Sequence, residues 1–206
     1  MLGEFTMTAN DLIQEVGGKI YERPLSMVRD ETGFPDLANP LHVVVLLVDC
    51  DTEVMMNGLL GFLENMTGRH LGTTIEALKT IGVRGVADQL GAVRDCMTRH
   101  GVTWQRLRGD FEGSREYDLT SFRQLHGSQL DCFASEVSTL THGFSLFHSS
   151  TGEAPYDLLC TYIEARLPEL RREIDKRESQ PSAETNGDPA TSVDNSGAAE
   201  GPPSVS

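Results

Sequence analysis

The sequence predicts an all-α fold: a single globular multi-helix domain followed by a disordered acidic C-terminal tail. Three observations predict it. Apolar residues recur at helical spacing in one stretch after another, most clearly at Val86, Leu90, Val93 and Met97. Helix starts and stops bracket these stretches, as with Asn39-Pro40 at one start and Gly82 and Gly101 at two stops. From Ser179 onward the chain is Ser, Pro, Gly, Ala and acid with almost nothing apolar, so burial cannot offset the entropy of ordering it.

Taken in order, Leu12, Ile13, Val16 and Ile20 define an amphipathic helix over about Asn10 to Ile20, and Pro24, Gly33 and Pro35 punctuate a loop. After Asn39-Pro40, the run Val43 to Val48 reads either as a buried strand or as a core helix. Its helical setting favours the helix. A further element spans about Thr52 to Met66. Thr73-Thr74-Ile75-Glu76 has the form of a capping box ahead of Ala77, Leu78 and Ile81. The stretch from Trp104 to His126 is polar and reads as irregular, anchored by Leu107, Phe111 and Phe122. Helices then follow over about Ser128 to Leu140 and from Pro155 through Ile174, giving about seven in all. The organisation expected is an N-terminal helix and loop at 1–38, an all-α domain at 39–177 and a disordered tail at 178–206.

Composition narrows the function. There are 31 acidic and 17 basic residues, a net charge of −14. All the basic residues lie at or before Arg177, while Glu178, Glu184, Asp188, Asp194 and Glu200 follow it. Such a body repels phosphate, which disfavours direct nucleic-acid binding, and attracts a basic partner. No apolar run approaches the length of a membrane span, and no secretory signal is evident, so a cytoplasmic location and no membrane partner are expected. Cys50, Cys96, Cys132 and Cys160 lie far apart among apolar neighbours and read as small buried hydrophobes. No metal site and no cofactor are expected.

The familiar phosphate-loop, dinucleotide, nucleophile-elbow and H-E-x-x-H patterns are missing from the sequence. Asp49-Cys50-Asp51-Thr52-Glu53 resembles the start of a calcium loop, but Val54 and Leu60 stand where Gly and Glu are needed, so it reads as acid at a helix start. The six histidines are scattered and read as surface or helix-end residues. Asp110, Glu112, Glu116 and Asp118 form a second acidic cluster. With Asp49 and Asp51 they are the candidate acidic surface, able to imitate a phosphate array for a basic partner.

One stretch, Glu53-Val54-Met55-Met56-Asn57-Gly58-Leu59-Leu60-Gly61-Phe62-Leu63-Glu64-Asn65, followed by Gly68 and then Ile75 to Gly82, resembles the bacterial DNA-mimic protein family, a domain long listed as of unknown function. Glu53, Val54, Gly58, Phe62, Asn65 and Gly82 fit the family pattern, as do Leu130 to Phe133 and Tyr162-Ile163, so the likeness runs from about Leu41 to Leu170. The pattern is altered where Met56 replaces Asn, Asn57 replaces Gly, Leu59 replaces Phe and Gly61 replaces Gln. The resemblance implies an all-α acidic protein whose carboxylates mimic DNA phosphates and occupy a DNA-binding protein. It makes Glu53, Asn57, Gly58, Phe62 and Asn65 the family-motif candidates for binding.

The expectation is therefore a non-enzymatic regulator of a basic or DNA-binding protein, acting in transcription, with a homodimer an allowed assembly. Two alternatives stay open: a small-molecule-binding or catalytic domain around Glu53 to Asn65, and an immunity-type protein that neutralises a basic toxin.

Overall fold

A computed structural model describes residues 7–113, 121–141 and 153–179. The expected disordered tail, apart from Glu178 and Ser179, lies outside these residues, as do Glu116, Asp118, His142 and His148. The described residues include nine α-helices and three 3-10 segments, with no strand among them. They are α1 (Ala9–Lys19), α2 (Pro40–Glu64), α3 (Leu71–Thr80), α4 (Arg84–Arg99), α5 (Trp104–Glu112), α6 (Phe122–His126), α7 (Asp131–Leu140), α8 (Pro155–Glu164) and α9 (Leu167–Glu178).

The centre of the fold is α2. Asn39 caps it by accepting from the Leu41 amide, and Pro40 occupies its first turn, as the start signal requires. Every residue from Leu41 to Cys50 is buried. This explains why the Val43–Val48 run has no polar face: a helix surrounded by helices is apolar all round. Helices α1, α3, α5, α7 and α9 all pack against α2, and its apolar side chains join theirs in one continuous core. The second half of that core is the α3–α4 pair, closed by Leu78, Val86, Leu90 and Val93.

Four element boundaries differ from the sequence reading. The elements read separately at Asn39 and Thr52 are one helix, because apolar burial carries the chain through Asp49-Cys50-Asp51 without a break. The Thr73–Glu76 box is not a cap. Helix α3 already begins at Leu71, and the Thr74 hydroxyl donates back to the His70 carbonyl within the helix. The region from Trp104 holds α5 and α6, capped by Thr103 and Ser121. The last helical stretch is broken after Glu164, and Pro168 in the first turn of α9 starts a new helix.

Candidate functional site

Near its C-terminal end α2 is kinked. Gly58 has φ 68° and ψ 177°, a backbone region essentially reserved for glycine, and the last turn, Leu59–Glu64, leaves in a new direction. Asn57 keeps a negative φ, so of the two residues able to make this turn, Gly58 alone does so.

Glu53 holds the two sides of the kink together. Its Oε2 accepts from Asn57 Nδ2 at 3.2 Å, one helical turn onward, and from Asn65 Nδ2 beyond the kink. Its Oε1 accepts from the Tyr21 hydroxyl at 3.1 Å. The Asn65 carbonyl in turn accepts from the Trp104 indole N–H at 2.8 Å, which fixes α5 to the same point. Glu53, Asn57, Gly58 and Asn65 are thus brought together as one network. Phe62 is not part of its polar face, since its ring is wholly buried in the core.

One turn before Glu53 lies Asp49. It is buried, with 2% of its surface exposed, so it is no part of an acidic surface. Nor do Asp49, Asp51 and Glu53 sit at a helix start: they lie within the 25-residue α2, where Asp49 and Glu53 share a face. Asp49 accepts from the Thr67 hydroxyl at 2.6 Å and from Arg29 at 3.1 Å. Burial pushes its carboxyl above the usual range, against the opposing pull of Thr67 and Arg29. The Arg29 guanidinium also lies over the Tyr21 ring, 4.8 Å from its centroid. Burial of its hydroxyl, then the charges of Asp49 and Glu53, push the Tyr21 phenol well above its ordinary value.

Arg29, Asp49, Glu53, Asn57, Asn65 and Thr67 line a cleft of about 340 Å³. Phe34, Arg69, His70 and Arg108 line it with them. Burial, then the charge of Arg69, lower His70 to about 4, so it is a neutral acceptor for the Arg69 Nε–H at 2.7 Å. A groove of about 360 Å³ between the start of α2 and α9 contains none of the candidate residues.

The other sequence candidates fall elsewhere. Asp51 is half-buried on α2. Asp110 and Glu112 are on α5 rather than in an irregular loop: Asp110 contacts His126 Nδ1 at 2.9 Å, and Glu112 pairs with Arg108 at 2.8 Å. His42 in the first turn of α2 and His126 at the end of α6 are helix-end residues as read, but buried rather than superficial, each against a carboxylate. Cys50 and Cys96 are buried as expected of small hydrophobes, but Cys132 is exposed because α7 turns it away from the core. The sequence reading missed Tyr21, Arg29, Thr67 and Trp104. The only signals for them were an isolated aromatic in a loop and the chain's single tryptophan.

Fold and site define a class: an acidic, all-α domain built on a kinked central helix, with a polar cleft at the kink. The profile of the DMP19-like protein family matches residues 35–166, more than half of the chain, and the chain belongs to that family. The match covers the whole of α2 and the cleft residues from Asp49 to Arg108, in keeping with the DNA-mimic resemblance of the Glu53–Asn65 motif. No curated protein matches the chain significantly, and no solved structure does.

Proposed function

We propose that the chain is a non-enzymatic regulator that binds a basic, DNA-binding protein by presenting carboxylates where DNA presents phosphates. Membership of the DMP19-like family, in a chain of net charge −14, carries this reading. The use made of the basic residues supports it. Lys19, Arg29, Lys79, Arg99, Arg108, Arg171 and Arg177 are engaged in ion pairs within the fold. Asp157 and Glu164 lie exposed on one face of α8, and neither pairs with a cation among the described residues. Seven residues of helix separate them by about 10 Å. The surface carboxylates therefore keep an excess that a cationic DNA-binding face can neutralise, with the counter-ion release and salt sensitivity that DNA itself shows. The cytoplasmic, transcription-related setting belongs to the same proposal. No described helix is long and apolar enough to cross a membrane.

A second reading has one observation in its favour. The motif residues Glu53, Asn57 and Asn65 line a cleft large enough for a small molecule.

The test is affinity capture of host proteins on the full-length chain at low salt, followed by elution with duplex DNA. Recovery of a DNA-binding protein that the duplex displaces, and that an Asp157→Asn/Glu164→Gln variant retains less well, is the expected result. Failure to recover any basic protein at low salt would overturn the regulator reading.

A further inference from the structure

The contact between α4 and α7 gathers three side chains that the sequence keeps far apart. Cys96 and His100 are four residues apart on one face at the end of α4, and Glu136 comes from α7. The Cys96 sulfur, a His100 ring nitrogen and a Glu136 carboxylate oxygen all lie within 4.8 Å of one another. His100 Nε2 and Glu136 Oε2 are 2.8 Å apart. The other carboxylate oxygen, Oε1, is held by the Arg99 guanidinium. The imidazole packs edge-on against Phe133, centroids 5.9 Å apart. Cys96 is buried, while the side chains of His100 and Glu136 are 28% and 37% exposed, so the cluster is lined by protein on one side and open to solvent on the other.

We propose that Cys96, His100 and Glu136 are a three-ligand site for a zinc-class divalent cation, with water in the fourth position, clamping α4 to α7. Four considerations point there. Thiolate, imidazole and carboxylate are the donor types that a borderline-soft cation takes, and a Cys-x-x-x-His spacing on a helix sets two of them side by side. In a tetrahedral site with bonds of roughly 2.0–2.3 Å, donor atoms stand about 3–4 Å apart, so the observed cluster needs only a small adjustment, in which the His100–Glu136 pair opens slightly and wider separations close. Binding displaces protons to solvent: the thiol gives up its proton as the sulfur bonds the metal, and the His100 ring, keeping its one proton on Nδ1, binds through Nε2. A dication held by one thiolate, one carboxylate and one neutral imidazole is electroneutral, which suits a half-buried position. Arg99 on the far oxygen and Phe133 against the ring are the kind of outer contacts that orient metal ligands. This inference does not rest on the regulator reading, and either can fail alone.

The test is Co²⁺ titration of the full-length chain, reduced and stripped of metal with a chelator. The expected spectrum has a thiolate-to-cobalt charge-transfer band and the strong visible bands of tetrahedral cobalt, both bleached by stoichiometric Zn²⁺. Cys132→Ser/Cys160→Ser retains the bands, and Cys96→Ser loses the charge-transfer band. Glu136→Gln, a change at a part-exposed position that leaves the thiol in place, weakens Co²⁺ binding by roughly tenfold or more. Zn²⁺ in excess raises the thermal midpoint of the wild type by about 5 °C or more and has no such effect on Glu136→Gln. No charge-transfer band in the wild type, a band that survives in Cys96→Ser, or unchanged affinity in Glu136→Gln would each overturn the site. Should Cys96→Ser fail to fold by circular dichroism, Glu136→Gln decides.

Discussion

Glu53 and Glu136 are both half-exposed helical carboxylates with several polar partners, and the partners differ in kind. Glu53 is surrounded by neutral donors: the Tyr21 phenol and the Asn57 and Asn65 amides. Glu136 is surrounded by Arg99, His100 and a thiol, and the hydrogen bonds from His100 and then Arg99 hold its carboxyl below the usual range. Neutral donors hold a carboxylate in place without cancelling its charge. The Arg99 guanidinium cancels that of Glu136, and an imidazole and a thiol beside it complete a set of donor types that a metal takes. An acidic protein thus uses one side chain in two ways: as a staple held by neutral partners, and as a ligand beside a cation.

Mutation of the backbone and buried groups around the kink should break this comparison most severely. At Gly68 a β-carbon would be driven into the carbonyl oxygens of Phe62 and Leu63, backbone that cannot move aside, so Gly68→Ala is expected to cost about 3 kcal/mol or more in urea unfolding. Asp49→Ala, which strips Arg29 and Thr67 of their shared partner at a buried site, should cost about 3 kcal/mol by the same measurement. Gly58→Ala has open space for its methyl but the wrong backbone, and should cost about 1–3 kcal/mol while changing the kink-dependent Trp104 fluorescence.

Smaller changes sharpen the contrast between neutral and cationic partners. Asn65→Ala should cost about 1–2 kcal/mol, a loss insensitive to salt because the lost donor is neutral. Glu31, bound by Arg177 and His42, is the opposite case: Arg177 first of all holds its carboxyl below the ordinary value. A carboxyl lowered by folding contributes stability above its unfolded pKa and loses it as pH falls through the folded one. Glu31→Gln should therefore cost about 1 kcal/mol at pH 7, screened by salt, and the gap between variant and wild-type unfolding curves should close on acidification below the ordinary carboxylate range. A gap that persists at low pH would show that Glu31 acts through packing instead of charge.

Much of the fold was legible in sequence because helices are local. Asn39-Pro40, the Val86–Met97 spacing and the stops at Gly82 and Gly101 each depend on residues within a turn or two, and the structure places helix boundaries at all of them. Misreadings arose where a local signal competed with burial. The Thr73–Glu76 pattern has the right letters for a cap, but α3 was already under way from Leu71. The acids at 49–53 looked like a helix start because nothing local says that a helix buried on all sides runs through them.

The candidate site divides along the same line. Sequence by itself determined the acidic excess and the helical class, since composition and spacing are properties of the chain alone, while the family resemblance pointed to Glu53, Gly58 and Asn65. Only the tertiary structure decided that Tyr21 and Trp104 converge on that motif, that Asp49 is buried and bonded by Thr67, and that Glu136 meets Cys96 and His100 across a helix pair. The physical reason is distance along the chain. A side chain's partner 30 or 40 residues away is chosen by how helices pack, and packing is fixed by the burial of the whole apolar set together, which no local pattern records.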